Sequence, residues 1–294
     1  MSTREPGAGD KPLTSVWATG QRPSRLQRKG RYLPESMRHP GKMLPAIAAQ
    51  AISVCTRPGD LVVDPMCGIG TTLVEAIHLS RHAAGMEYEP DFAQLAAANV
   101  RHARSQGAAG TAQVVCGDAH TIASTFAELR GRVALVLTSP PYGASTHGHV
   151  RTERDGADRL TKWNHRYSRD RGNLAHRNLD ELLYGVGRIL ADGASLLRPG
   201  GVVAVTVRPI RIKGDLADLP GRVIEAAGQN GLVLVERFAA LLCGLRGGGL
   251  VTRASFFQSL ETRRARERGL PACVTAHEDL LVFQRACDLP GGPR

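Results

Sequence analysis

The chain has 294 residues and a net charge of +11, with 38 Lys and Arg against 27 Asp and Glu. That length suits one large domain with additions, and that charge favours a polyanionic partner. No apolar run approaches the ~20 residues of a membrane span, and residues 1–10 lack the apolar stretch of a signal peptide. The six cysteines (Cys55, Cys67, Cys116, Cys243, Cys273, Cys287) are scattered with no CxxC pair. They read as reduced thiols of a cytoplasmic protein, with neither a zinc site nor a disulfide framework.

Residues 1–36 are rich in Gly, Pro, Ser and Arg and read as a basic N-terminal arm, flexible or draped. Arg22, Arg25, Arg28, Lys29 and Arg31 form a run of cations without an acid, suited to a solvated tail or to phosphate contact. Strand and helix signals then alternate. The periodicity predicts a helix over 43–55, a strand over 61–64, a helix over 71–79, a strand over 83–87 and an alanine-rich helix over 91–105. Strands follow at 113–116 and 133–138, then a long helix over 178–197 opened by Asn178 with Glu181 three residues on, as in a capping box. Pro199-Gly200-Gly201 turns into a strand over 202–207. A helix over 223–228 and strands over 232–237 and 279–283 complete the series. Such alternation predicts an α/β fold: a Rossmann-like, doubly wound, mostly parallel seven-stranded sheet with helices on both faces. The domain is expected over 37–288, with a short tail at 289–294. Two basic stretches, 143–177 and 244–276, interrupt the alternation as insertions.

The apolar run Val133-Ala134-Leu135-Val136-Leu137-Thr138 reads as a buried parallel strand. It opens onto Ser139-Pro140-Pro141-Tyr142. The two prolines fix φ and remove two backbone donors, leaving a rigid edge of carbonyl acceptors beside a hydroxyl and an aromatic ring. Such an edge suits a planar base carrying an exocyclic NH2. Upstream, Asp64-Pro65-Met66-Cys67-Gly68-Ile69-Gly70-Thr71-Thr72 lies where a strand meets its helix. Gly68 and Gly70 permit close backbone approach to a ligand; alone, this loop could bind a dinucleotide or nothing. Glu87, followed by Tyr88, ends the second strand, where an acid can accept ribose hydroxyls. Asp118 ends the third, where a carboxylate could take an adenine amino group. Each acid could equally be a strand-end or capping residue. His147-Gly148-His149 lacks a third ligand, and no metal site is expected.

Together these residues resemble class I S-adenosylmethionine-dependent methyltransferases, with greatest likeness to the amino-methylating DNA enzymes of the N4-cytosine group. That family's loop is Asp-Pro-Phe-x-Gly-Ser-Gly-Thr-Thr; here Met66 replaces Phe and Ile69 replaces Ser. Its turn is (Asp/Asn/Ser)-Pro-Pro-(Tyr/Phe/Trp), matched by Ser139–Tyr142, with Ser typical of the N4-cytosine group. His39-Pro40-Gly41-Lys42 resembles the family's His-Pro-x-Lys segment near the cofactor. His277 and Glu278 resemble its approach to a final strand, and read as a polar strand entry. The resemblance implies S-adenosylmethionine as cofactor, held by His39, Lys42, the Asp64–Thr72 loop, Glu87, Tyr88 and Asp118. It implies methyl transfer to an exocyclic amine, cytosine N4 in DNA first, at Ser139, Pro140, Pro141 and Tyr142. Tyr142 would stack on a flipped or single-stranded base. RNA is the alternative substrate, since tRNA guanine-N2 enzymes share the motif order and a Pro-Pro-Tyr-Gly turn that Gly143 completes. DNA adenine N6 is a further alternative.

Overall fold

The computed structural model describes residues 14–142, 149–151, 161–163, 174, 177–212, 215–254 and 256–289. The central sheet has eight strands rather than seven. In chain order the elements are β1 (Val16–Trp17), α1 (Ser24–Arg28), α2 (Pro45–Cys55), β2 (Leu61–Asp64), α3 (Thr71–His78), β3 (His82–Glu87), α4 (Pro90–Ser105) and β4 (Ala112–Cys116). There follow α5 (Ile122–Thr125), β5 (Val133–Thr138), β6 (His149–Arg151), β7 (Thr161–Trp163), α6 (Leu179–Ala194) and β8 (Leu197–Val207). The last are β9 (Ile210–Ile212), β10 (Asp215–Ala217), α7 (Leu219–Gln229), β11 (Leu232–Leu241), β12 (Gly244–Arg246), β13 (Gly249–Val251), α8 (Phe256–Glu267) and β14 (His277–Arg285).

The strand order is β1-β11-β14-β8-β5-β2-β3-β4. Strands β4, β3, β2, β5 and β8 run parallel; β14 is antiparallel to both β8 and β11. The order reverses between β2 and β5, and in open α/β sheets ligands bind outside the carboxyl ends of strands at such a reversal. Every residue of β5 is buried, as a strand covered on both faces requires. Ile47, Ala48, Leu73 and Leu95 from α2, α3 and α4 pack on one face. Ile122, Leu182 and Val223 from α5, α6 and α7 pack on the other. Asn178 caps α6, its side chain accepting from Glu181 N at 2.9 Å.

The flexible-arm expectation is corrected for residues 14–36; residues 1–13 lie outside the described ones. Val16 and Trp17 pair in parallel with Ala239 and Ala240 of β11, and Trp17 stacks on Phe238 with ring centroids 4.4 Å apart. Arg28 and Tyr32 are buried. Arg31 makes a two-point ion pair with Glu75 of α3 (2.8 and 2.6 Å), and the Tyr32 hydroxyl donates to the same carboxylate at 2.6 Å. A buried acid on α3 thus turns cations that read as a tail into structural partners.

The 244–276 stretch is likewise a built element. It is a β12–β13 hairpin turning at Gly247 and Gly248, both at positive φ (53° and 77°), followed by α8. Within 143–177, β6 and β7 pair antiparallel; most of that stretch, including Gly143 and His147, lies outside the described residues. Strands β9 and β10 pair antiparallel, a pairing that the sequence pattern did not announce.

Candidate active site

The loop after β2 is organised by Asp64. Its Oδ1 accepts from Met66 N at 3.0 Å and from Thr138 Oγ1 at 2.8 Å; its Oδ2 accepts from Thr72 Oγ1 at 2.6 Å. One carboxylate therefore ties the end of β2, the glycine loop, the start of α3 and the end of β5. Burial raises its pKa to about 6 against these hydrogen bonds.

Gly70, at φ 80°, precedes α3, and its N–H closes the loop onto Cys67 O at 2.7 Å. Gly68 is at φ 55°, and a Cβ there would sit 3.0 Å from His39 Nε2. His39 is buried against Phe92 with ring centroids 4.4 Å apart. Burial, then the charge of Lys42, lowers its pKa to about 3, so the ring is neutral at ordinary pH. Lys42 Nζ donates to His39 O, and burial, then the charge of Arg28, lowers its pKa to about 8. His39 thus abuts the loop at Gly68, and Lys42 is tied to His39.

Glu87, at the end of β3, is 2 % exposed. Its Oε2 accepts from Gly68 N at 2.8 Å and its Oε1 from Glu89 N at 2.9 Å. Burial raises its pKa to about 7. Asp118 is exposed and caps the turn Ala119–Thr121, its Oδ1 accepting from His120 N at 3.0 Å. The capping role and a place in the site coincide in this residue.

A cleft of about 730 Å³ lies beside these groups. Of the residues expected from the sequence, Pro65, Met66, Glu87, Tyr88, Asp118 and Pro141 line it. Asp64, Thr71 and Thr72 are buried in the frame around it. Arg177, from the basic 143–177 stretch, lines it too, as do Tyr184 and Arg188, which the sequence pattern did not mark. Tyr184 is 67 % exposed; an aromatic on the outer side of an amphipathic helix carries no signal until the helix is placed.

Ser139 is half-buried, and Pro140 is buried, directly after β5. Tyr142 packs beside the core cluster of α6 and α7. The Arg208 guanidinium lies over its ring, 5.6 Å from the centroid; burial, then the charge of Glu278, holds its phenol pKa well above the ordinary value. Glu278 was expected only as a strand entry; β14 does begin at His277, but it also brings this acid to the turn.

Residues 2–98 match the family model described as DNA methylase. A tRNA (guanine(10)-N2)-dimethyltransferase of Methanocaldococcus jannaschii is 31 % identical over 110 residues, which is 37 % of this chain and 31 % of that protein. The crystal structure of TrmN from Thermus thermophilus superposes with a TM-score of 0.51 at 17 % identity, covering 88 % of this chain and 53 % of that one. The chain thus spans about a third of the curated relative and about half of the solved structure. Over residues 2–98 the chain is thus similar to DNA methylases, and over most of its length it shares its fold with TrmN.

Proposed function

We propose that the protein is an S-adenosylmethionine-dependent methyltransferase acting on an exocyclic amino group of a nucleic acid, cytosine N4 of DNA first. The observation that carries the reading is the cleft at the β2–β5 reversal, lined by Glu87, Asp118 and Pro141 of the Ser-Pro-Pro-Tyr turn. The lining fits the cofactor: Met66 and Tyr88 offer apolar surface, and Glu87 and Asp118 offer acceptor oxygens. The Gly68 position, which a Cβ would crowd against His39, holds the loop backbone close to the frame.

The cofactor supplies an electrophilic methyl group on a sulfonium. The protein supplies position and electrostatics. An exocyclic amine is a poor nucleophile because its lone pair is delocalised into the ring. Acceptors at Ser139 Oγ and Pro140 O would hold its two hydrogens and favour a tetrahedral nitrogen. Tyr142 would stack on the base, and a base inside a duplex must be flipped out to reach the turn.

The DNA reading is supported by the DNA methylase match over residues 2–98 and by Ser139 heading the turn. The second reading, a tRNA guanine-N2 enzyme, is supported by the identity to the Methanocaldococcus jannaschii protein. The test is incubation with labelled S-adenosylmethionine and, separately, unmethylated genomic DNA and bulk tRNA, followed by nucleoside mass spectrometry. N4-methylcytosine in DNA is expected. Only N6-methyladenine would overturn the cytosine assignment, label confined to tRNA would overturn DNA as substrate, and no transfer to either would overturn the activity.

A further inference from the structure

Strands β5, β8, β11 and β1 run the same way, with β14 opposed between β8 and β11. The carboxyl edge that carries the Ser139–Tyr142 turn therefore continues past the ends of β8 and β11 to Trp17. Beyond Leu241 the chain forms the β12–β13 hairpin, and beyond Trp17 it forms α1. Three strand spacings put the foot of the hairpin about 14 Å from the turn, roughly four base-pair steps of a duplex.

The hairpin and the segment before α1 are locked together. Thr19 Oγ1 donates to Leu241 O at 2.7 Å, and Leu245 N donates to Gln21 Oε1 at 3.3 Å. Arg253 donates to Gly20 O at 3.0 Å and to Gln21 O at 2.9 Å. A Cβ on Gly20 would lie 2.4 Å from the Leu242 carbonyl carbon, so only glycine allows this approach.

The joined surface is basic and partly apolar. No Asp or Glu occurs between residues 14 and 34 or between 237 and 260. Arg25 and Arg246 are exposed, and their guanidinium groups have no hydrogen bond or ion pair among the described residues. Arg28 and Arg31, by contrast, are engaged within the fold. Leu245 and Leu250 are 48 % and 56 % exposed. Cations that no acid of the surface neutralises suit phosphates, and exposed leucines suit the apolar base edges of a groove.

Resting on the proposed methyl transfer to DNA, we infer that the β12–β13 hairpin and the 20–25 segment form a docking surface for the duplex flanking the target base, with Arg25 and Arg246 on its phosphates and Leu245 and Leu250 against a groove.

The test is binding of the full chain to a fluorescent duplex DNA across a salt series. Each phosphate contact contributes about 0.9 to the slope of log K against log salt, so Arg25→Ala with Arg246→Ala should lower the slope by about 1.8. Lysine at both positions keeps the charge and should restore it. Cofactor affinity, and methyl transfer at saturating DNA, should be nearly unchanged. Arg101→Ala with Arg104→Ala removes the same charge from α4, which returns the chain to the amino edge before β4, and should leave the slope alone. An unchanged slope in the first pair, an equal fall in the α4 pair, or a fall seen only with tRNA would overturn the docking. So would a dimer in sedimentation that Leu250→Ser dissociates, since a second copy would then cover the hairpin. A lowered slope in a protein that transfers no methyl group would overturn the methyl transfer and leave the DNA surface standing.

Discussion

The Thr138 hydroxyl donates to Asp64 Oδ1 at 2.8 Å, joining the carboxyl ends of β5 and β2 directly before Ser139. The same carboxylate holds Met66 N and Thr72 Oγ1, so the glycine loop and the end of β5, directly before the Ser139–Tyr142 turn, share one anchor. Asp64→Ala orphans three buried donors, and each unsatisfied group costs about 1–3 kcal/mol. The expected outcome is a loss of about 3 kcal/mol or more in urea unfolding, with cofactor binding lost at micromolar concentrations. Thr138→Val keeps the shape and removes one bond. It should cost about 1 kcal/mol and lower turnover more than cofactor affinity. An unchanged turnover in Thr138→Val would separate the two ends of the site.

Glu87 gives a pH signature. Its pKa in the folded protein is about 7 against an ordinary 4.5, so folding tightens proton binding. The stability from that proton is complete below pH 4.5 and is lost as pH rises through 7. Asp64, raised to about 6, acts in the same direction. Glu87→Gln should therefore flatten the decline in unfolding free energy between pH 5 and 8 by about 2–3 kcal/mol. Cofactor affinity should move the other way in the native protein. The ionised carboxylate is the better acceptor for ribose hydroxyls, so affinity should rise from pH 6 to 8, and Glu87→Gln should abolish that rise. Calorimetric titration at three pH values checks both statements.

Much of the frame was legible because its signals are local. Leu61-Val62-Val63 and Val133–Thr138 are apolar runs of a kind that only strands buried on both faces carry, and Asp64, Glu87 and Asp118 follow strand ends in order. What escaped was non-local. Nothing near Arg31 in sequence announces Glu75, 44 residues on. Nothing in a two-residue segment such as Val16–Trp17 announces pairing with Ala239 and Ala240. Glu278 read as strand polarity because its partners come from the turn after β5 and from the end of β8. Helix α8 was hidden by composition: among the described residues Thr262 and Ala265 are buried in it, set among Arg263, Arg264 and Arg266.

The ion pair of the N-terminal segment yields a prediction that separates packing from nucleic-acid contact. Glu75 is 3 % exposed at its side chain and Arg31 is 34 % exposed. Arg31→Ala leaves the acid with Tyr32 alone among these partners. Breaking a buried pair costs about 3–5 kcal/mol, and partial exposure reduces that here to about 1–3 kcal/mol. The urea midpoint should fall, while the salt dependence of nucleic-acid binding should not change, because no phosphate contact is removed. An unchanged midpoint with a shallower salt slope would return Arg31 to the role of a phosphate ligand.

On the proposed function, Ser139 heads a methyl-transfer turn next to the cleft. The most direct measurement is single-turnover methyl transfer by Ser139→Ala, with cofactor affinity measured on the same preparation. The expected rate is lower by roughly tenfold or more, the scale of a lost transition-state contact, with cofactor affinity nearly intact. Full activity in Ser139→Ala would contradict it.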